Sequence, residues 1–416
     1  MKEIKVDVAV IGGGPAGLAA ALEAERRGAK KVMILERDME LGGILQQCIH
    51  DGFGLHRFNA RMSGAQYAQK FIDQLQDTGI EVKLETIVLD LTAKREIYAC
   101  NSTDGMMHIQ CGAVILAMGC RERTASQVLI YGARPAGVMT AGTAQRYINM
   151  EGYLPGRQAV ILGSGDIGLI MARRMTLEGI QVKGVYEVMP SPGGLTRNIV
   201  QCLDDYGIPL HLSTTVTRIK GNKRVESVTV CKVDENRKPI PGTEEEIPCD
   251  LLVLAVGLIP ENELSRGADI EMDPRTKGPV VDNNFMTSCP GIFACGNVSV
   301  VFDLVDYVSQ SGEIAAAGAM RYIKGELPQC PEYREVIPGD GINFVVPQRL
   351  LKDCAEEDVT FFMRVKKPQK KVYLQCISEG NIIKKERHNS VAPPEMLASK
   401  VHVNGKGSPE FRIVEV

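Results

Sequence analysis

An α/β fold built from two doubly wound parallel-sheet units, with a small antiparallel β module after them, is what this 416-residue sequence predicts. Three observations carry that expectation. A strand, a glycine turn and a helix are spelled out within residues 6–25, the same pattern returns at residues 158–178, and beyond about residue 328 apolar and polar residues alternate.

The first unit opens with Val6-Asp-Val-Ala-Val-Ile11, a short apolar run suited to a buried parallel strand. It ends in Gly12-x-Gly14-Pro15-Ala16-Gly17, and Leu18 to Glu25 continues as good helix sequence. Gly12 permits a tight turn, Gly14 lets a pyrophosphate approach the main chain, and Gly17 lets the helix lie close to the strand. Free N–H groups and the partial positive charge at the helix start then face the phosphates. Lys31 to Glu36 reads as a second strand ending in an acid. Glu36 stands 36 − 17 = 19 residues past the third glycine, the spacing of a carboxylate that accepts from ribose hydroxyls. A glycine turn without a ligand is the plainer reading, and a lone motif would not exclude it. Strand, helix and acid together at these spacings favour a dinucleotide site.

The chain is long enough for two or three domains, and 44% apolar residues can fill their cores. A net charge of −3 offers no basic face for nucleic acid. No signal peptide is visible, because the first apolar run holds Asp7 and breaks at Gly12; the expected location is the cytoplasm. The runs Val114–Met118 and Leu251–Ile259 are too short to span a bilayer. The twelve cysteines include no Cys-x-x-Cys and no zinc or cluster spacing, so reduced, packed thiols and no metal site are expected.

After Glu36 come Arg37 and the diglycine Gly42-Gly43, which lets main chain pass close to an extended ligand. Ala65 to Gly79 reads as an amphipathic helix with Tyr67, Phe71 and Leu75 on one face. Glu81 to Asp90 and Ile97 to Cys100 are strand-like, and Cys111 to Gly119 is a further buried strand closing on Ala117-Met118-Gly119. Arg134 to Tyr153 looks like a connector with one helix. Then Gln158 to Leu162, Gly163-Ser-Gly165-Asp166-Ile167-Gly168 and a helix to Glu178 repeat the opening, with Gly179 suited to the C-cap. The strand Val182–Val188 carries Glu187, and 187 − 168 = 19 again. Leu251 to Gly257 is the late buried strand of this unit.

Two such units imply two adenine-containing ligands. Glu187 favours a free ribose 2′-hydroxyl and would repel a 2′-phosphate, and Val188-Met189 supply no arginine for one. NAD(H) is therefore favoured over NADP(H), with Lys183 and Arg197 left as groups that could still reach a phosphate. Thr276 to Gly296 returns to strand and turn, and Asp303 to Lys324 reads as a helix. Val359–Val365 and Val372–Cys376 alternate on either side of the turn at Lys366–Lys371. The expected domains are 1–153 with 279–327, then 154–278, and a β module over 328–416 that offers a docking or oligomer surface.

Together these residues resemble the two-dinucleotide-binding-domain flavoproteins, the pyridine nucleotide-disulfide oxidoreductase superfamily that includes thioredoxin reductase and glutathione reductase. The likeness runs from about Val6 to Lys324. It rests on both glycine motifs with their acids, the diglycine, Ala117-Met-Gly119, Ala255-Val-Gly257 and Gly291-Ile-Phe-Ala-Cys-Gly296-Asn297. It implies two Rossmann-like domains, the NAD domain inserted in the FAD domain. The FAD contacts it implies are Gly12, Gly14, Pro15, Ala16, Gly17, Glu36, Arg37, Gly42, Gly43, Val88, Ala117, Gly119, Gly296, Asn297 and Val308. Those for NAD are Gly163, Gly165, Asp166, Ile167, Gly168, Glu187 and Gly257. Asn297 stands where the superfamily usually has Asp; its carbonyl can still accept from a ribityl hydroxyl. Neither of the superfamily's redox cysteine pairs is present, since only Cys48 follows the diglycine and the second unit has no Cys-x-x-Cys. A dithiol relay needs two thiols within bonding distance, so a disulfide reductase is not expected.

A narrower likeness is carried by Gly42–Gly54, Ala117–Thr124, Arg134–Gln145 and Pro192–Asn198. These stretches resemble flavoprotein subunits that accompany glycerol-3-phosphate dehydrogenase-like flavoenzymes and, more distantly, the FAD/NAD-type subunits of opine oxidase, sarcosine oxidase and hydrogen cyanide synthase. That implies hydride transfer between NAD(H) and flavin. Electrons would pass to or from a partner, a glycerol-3-phosphate dehydrogenase-like flavoprotein subunit, with a small iron–sulfur or cysteine-rich subunit as a further partner. The alternatives are a stand-alone NADH oxidase or diaphorase and a non-catalytic flavin-binding assembly or sensor subunit; homo-oligomerisation is left open. Hydride transfer requires no acid–base residue. Cys48 and His50 are candidates for tuning the flavin or touching a second substrate, against the plainer reading of a packed thiol and a loop histidine.

Overall fold

A computed structural model describes residues 1–352, 356–404 and 407–416. The chain divides into two compact units, residues 1–120 with 260–416, and residues 121–259.

The first unit is built on parallel strands in the order Glu81–Lys83, Val32–Leu35, Lys2–Ile11, Gly105–Leu116. Gly105–Leu116 is long enough to pair twice on its far side. Residues 105–110 pair antiparallel with Glu96–Asn101, which pairs with Ile87–Leu91, and the last three residues pair with Ile292–Ala294. The single strand expected over 81–90 is thus two strands with different partners, broken where Glu85 turns at φ 48. Val8, Ala9 and Val10 are fully buried, as in a sheet covered on both faces. Helices Pro15–Arg26 and Val305–Ile323 cross in near contact: a Cβ on Gly312 would collide with the Ala16 carbonyl, and the first helix buries mostly alanine. The helix expected over 65–79 spans Gly64–Leu75, opened by a capping box between Ser63 and Gln66.

The β module belongs to the first unit. Ile342–Val346, Glu357–Val365 and Leu397–Val403 form one sheet; Ile337–Pro338, Glu410–Glu415, Gln369–Ser378 and Asn381–Val391 form another. Phe361, Met363, Leu374 and Phe411 share a core between them. Phe344, Val346 and Phe362 join the main core instead. Phe362 meets the rings of Phe302 and Tyr307, Arg364 donates to Val301 O, and Met396 N donates to Asp303 Oδ2. The module therefore packs on the start of helix Val305–Ile323.

The second unit has a parallel sheet in the order Val138–Thr140, Leu251–Leu254, Gln158–Leu162, Gln181–Tyr186, Leu210–His211. A second layer holds Tyr131–Gly132, Thr214–Gly221, Val225–Lys232 and Glu245–Pro248. The expected boundaries at 153/154 and 278/279 therefore move. Two short strands inside the apparent connector, Tyr131–Gly132 and Val138–Thr140, pair with strands of the second unit, while Ala268 and Ile270 sit in the core of the first.

Where residues 281–284 run beside 348–351, polar groups are buried. Val281 N donates to Gln348 Oε1, and Leu351 N to Asn283 Oδ1. Asp282 Oδ1 accepts from Asn284 N and Met286 N, while its buried Oδ2 has no hydrogen-bond partner among the described residues. Burial pushes this carboxyl up to about 7, against the pull of those N–H groups and of Arg349 and Arg321. A folded-state value above the ordinary 3.8 means that the native protein keeps a proton the unfolded chain releases. Stability contributed by Asp282 is therefore present at low pH and falls as pH rises from about 4 to about 7. Asp282→Asn should remove that loss: its unfolding free energy in urea titrations is expected to gain on wild type between about pH 5 and about pH 8, by a few kcal/mol at most. A difference between the two proteins that does not change with pH would contradict this.

Candidate functional site

Each glycine motif folds as its spacing predicts. Gly12 turns at φ +107, and a Cβ there would stand 2.5 Å from Ala117 O, so the turn lies against the end of strand Gly105–Leu116. A Cβ on Gly17 would overlap Gly12 O. Gly14 differs from both. Its backbone is extended (φ −76°, ψ −174°), any residue could adopt it, and its Cβ position faces open space. Pro15 opens the helix, where its missing N–H costs nothing.

Glu36 is buried, with Oε2 accepting from Gly13 N (2.6 Å) and Oε1 from Asp38 N (2.8 Å). Each oxygen keeps acceptor capacity for a ribose hydroxyl. Gly42 N donates to Gly13 O (2.9 Å), and a Cβ on Gly43 would stand 3.2 Å from Gly14 Cα, so the diglycine forms a second wall beside the open side of Gly14. A Cβ on Gly296 would meet Ala16 Cβ at 2.7 Å and Val308 Cγ1 at 3.3 Å, which brings the late turn to the same place. Asn297 Oδ1 accepts from Phe302 N (3.0 Å) and its amide donates to Cys120 Sγ (3.6 Å). The carbonyl expected to serve a ribityl hydroxyl thus also holds its own loop. Gly119 turns at φ +71 with open space beside it. Val88 is half-buried two residues beyond Thr86, whose N–H donates to Glu36 O (2.8 Å). Arg37 is exposed and pairs with Glu261 at 3.4 Å.

Cys48 has the properties of a packed thiol. It is buried, Sγ donates to Ile44 O (3.3 Å), and burial pushes it up to about 12. His50 is half-buried, its ring 5.1 Å from that of Phe53. Among the described residues no cysteine is joined in a disulfide, and no group of three or more His, Cys, Asp or Glu is placed to hold a metal ion; Cys354 lies outside those residues. No helix among them is long and apolar enough to cross a membrane.

The second unit repeats the construction. Gly163 (φ +102) is pressed on Ala255 O and Gly168 on Gly163 O, while Gly165 is extended (φ −64°, ψ 163°) with open space at its Cβ position. Glu187 is buried; Oε2 accepts from Ser164 N (2.9 Å) and Ser164 Oγ (2.6 Å), and Oε1 from Met189 N (2.9 Å). Asp166, at the first helical position, turns Oδ1 to Leu195 N (2.9 Å) and Asn198 Nδ2 (2.6 Å). Ile167 packs on the core of this unit, and Gly257 turns at φ +100 beyond strand Leu251–Leu254. Lys183 bonds Gln181 Oε1 (2.9 Å), and Arg197 is exposed. The stretch Pro192–Asn198 carries part of the narrower resemblance, but its diglycine is given no role by the sequence. Gly193-Gly194 stands 193 − 187 = 6 residues past the acid, as Gly42 stands 42 − 36 = 6 past Glu36. That equal spacing was the available signal.

Residues 6–318 match the family described as pyridine nucleotide-disulphide oxidoreductase. The chain belongs to that family. Its members are flavin-dependent NAD(P)H oxidoreductases, and membership implies FAD and a nicotinamide nucleotide. Two glycine cradles, each open at its middle glycine and each backed by a buried acid, fit two such ligands. An opine oxidase subunit of Agrobacterium tumefaciens (strain Ach5) is 24% identical over 336 residues, 76% of this chain and 66% of that one. The hydrogen cyanide synthase subunit HcnB of Pseudomonas protegens is 26% identical over 281 residues, 63% of this chain and 58% of that one. The matches thus span 58% to 66% of the length of these two curated relatives. The thioredoxin reductase of T. acidophilum shares the fold, with a TM-score of 0.62 at 24% identity over 78% of this chain and 99% of that one.

Burial of Cys48 has a direct chemical consequence. In the native protein it is expected to resist alkylation by iodoacetamide under conditions that modify the exposed Cys330, and to react once the chain is unfolded. Mass mapping of the labelled peptides checks this; equal native labelling of the two would contradict it.

Proposed function

We propose that the chain is an FAD-dependent oxidoreductase that moves hydride between NAD(H) and flavin and exchanges electrons with a partner subunit of a dehydrogenase complex. The doubled cradle carries the reading: one acid-backed glycine site in each unit, in a chain of this family. The first-unit site is read as that of FAD and the second as that of the nicotinamide. When bound, the two cofactors supply the hydride chemistry; the protein binds and orients them.

In the first unit Gly14 and Gly43 leave main-chain room for a pyrophosphate, and the start of helix Pro15–Arg26 directs N–H groups to it. Glu36 accepts from the ribose hydroxyls. Gly296, Asn297 and Val308 serve the far end of the same ligand. In the second unit Gly165 and Glu187 take the corresponding roles. The Glu187 carboxylate suits a free 2′-hydroxyl and opposes a 2′-phosphate, which supports NAD(H) over NADP(H).

The opine oxidase relative and HcnB are each named as subunits, which supports reading this chain as one too. The sequence offers no local cysteine pair and buries Cys48, which supports onward transfer through another chain and not through a dithiol. The partner is taken to be a glycerol-3-phosphate dehydrogenase-like flavoprotein, joined by a small iron–sulfur or cysteine-rich subunit, with the complex in the cytoplasm. Co-purification from the native host tests the complex; recovery of the chain alone, fully active with dyes or oxygen, would favour a self-sufficient diaphorase.

Gly14→Val and Gly165→Val add side chains to open space on unstrained backbone, so both should fold. The first is expected to purify without flavin. The second should keep flavin but bind NADH at least about tenfold more weakly. Absorbance spectra and anaerobic titrations check both, and a flavin-replete Gly14→Val would overturn the first assignment. Glu187→Arg is expected to shift anaerobic flavin reduction toward NADPH by at least about tenfold in relative kcat/KM. Unchanged discrimination would remove Glu187 from the role given to it.

A further inference from the structure

The diglycine of the second unit, Gly193-Gly194, is held in place differently from that of the first. In the first unit the corresponding loop is held by main chain, with Gly42 N on Gly13 O. In the second unit two side chains of the glycine motif itself hold it. Ser164 Oγ donates to Glu187 Oε2 (2.6 Å) and accepts from Gly193 N (2.9 Å). Asp166 Oδ1 accepts from Leu195 N (2.9 Å) and from Asn198 Nδ2 (2.6 Å). Ser164 and Asp166 flank Gly165, so the loop is fastened on both sides of the residue whose Cβ position is open.

The two glycines of this loop are glycine for different reasons. A Cβ on Gly194 would stand 2.6 Å from Leu169 Cδ1, 2.9 Å from Asp166 Oδ1 and 3.0 Å from Ser164 O, so a side chain there would have to displace Leu169 and the Asp166 carboxylate that holds the loop. Gly193 is not under that constraint. Its φ is outside the left-handed range, and its Cβ position makes only ordinary contacts, 3.7 Å from Gly165 N and 3.8 Å from Ser164 Oγ. A side chain at 193 would fit the protein but would stand over Gly165 N, the donor that a phosphate needs. Asp166 points the same way. A carboxylate at the first turn of this helix would repel a phosphate unless its charge is engaged elsewhere, and its Oδ1 is engaged by the loop.

We propose that Gly193-Gly194 is a ligand-binding wall of the second-unit site, closing over the pyrophosphate of an adenine dinucleotide, and that Asp166 is the positioning residue that latches it. The inference rests on the nucleotide reading of the second unit. It adds a binding segment and a task for Asp166 that does not involve touching the ligand.

The test uses the full chain with its flavin, and ADP-ribose as probe. Asp166→Ala should weaken ADP-ribose binding by calorimetry at least about tenfold, the effect of losing hydrogen bonds to a charged acceptor. Asp166→Asn keeps an oxygen acceptor for Leu195 N and Asn198, so it should bind at or near wild-type strength. Gly193→Val should fold, keep flavin and lose ADP-ribose. With NADH as reductant, Asp166→Ala should raise KM far more than it lowers kcat. Hydrogen exchange at the Leu195 amide should accelerate in Asp166→Ala and not in Asp166→Asn, with or without ligand. Wild-type binding by Asp166→Ala, or equal weakening in Asp166→Ala and Asp166→Asn, would overturn the latch. A wild-type protein that holds flavin but binds neither ADP-ribose nor NADH would instead overturn the nucleotide reading, while exchange at Leu195 would still report whether Asp166 holds the loop.

Discussion

Two absent side chains organise this molecule. At Gly17 and at Gly168 the Cα lies so close to the carbonyl of Gly12 or Gly163 that no Cβ fits. That contact pulls the start of each helix onto the end of its strand, so that unpaired helix N–H groups and the open face of a middle glycine share one space. The acid nineteen residues on then returns to the same turn, Glu36 to Gly13 N and Glu187 to Ser164 N. Each unit is in this sense a device for holding donors and one carboxylate around an empty volume, and the surrounding sheet and helices serve to keep it rigid.

The two copies reach that end with different materials. The first unit closes its loop by main chain, Gly42 on Gly13, and adds a late turn at Gly296 that touches Ala16 and Val308. Its helix Val305–Ile323 is crossed so tightly by Pro15–Arg26 that Gly312 has no room for a methyl group. The β module then packs Phe362 on Phe302 and Tyr307 and fastens Arg364 and Met396 around residues 301–303. The start of that helix, next to one cradle, is therefore held from both sides. The second unit has no such module. It holds its loop with a serine and an aspartate taken from the motif itself.

Both glycine motifs, both acids, the first diglycine and the order of strand and helix were legible, because each depends on residue type at fixed spacing along a few turns of chain. So was the alternation that announces the β module. The domain boundaries were not: whether residues 138–140 join a sheet depends on Leu252 and its neighbours, more than a hundred residues away. The lysine-rich strand Asn381–Val391 was passed over because an edge strand with one solvated face carries little apolar signal. Cys48 could be read either way until its burial was known, since thiol chemistry follows desolvation and not sequence position.

The sequence by itself determined that there are two glycine cradles, each with an acid nineteen residues on, and that no cysteine pair lies at the redox spacings. Those properties are local, set by missing Cβ atoms, helix phase and the distance from glycine to acid. Tertiary structure decided which segments close over the cradles, that Asn297 and Asp166 spend their polar atoms on loops, and that the β module braces the helix beside the first site. Those outcomes depend on which distant groups share a buried volume, and no spacing within a short stretch of chain encodes that.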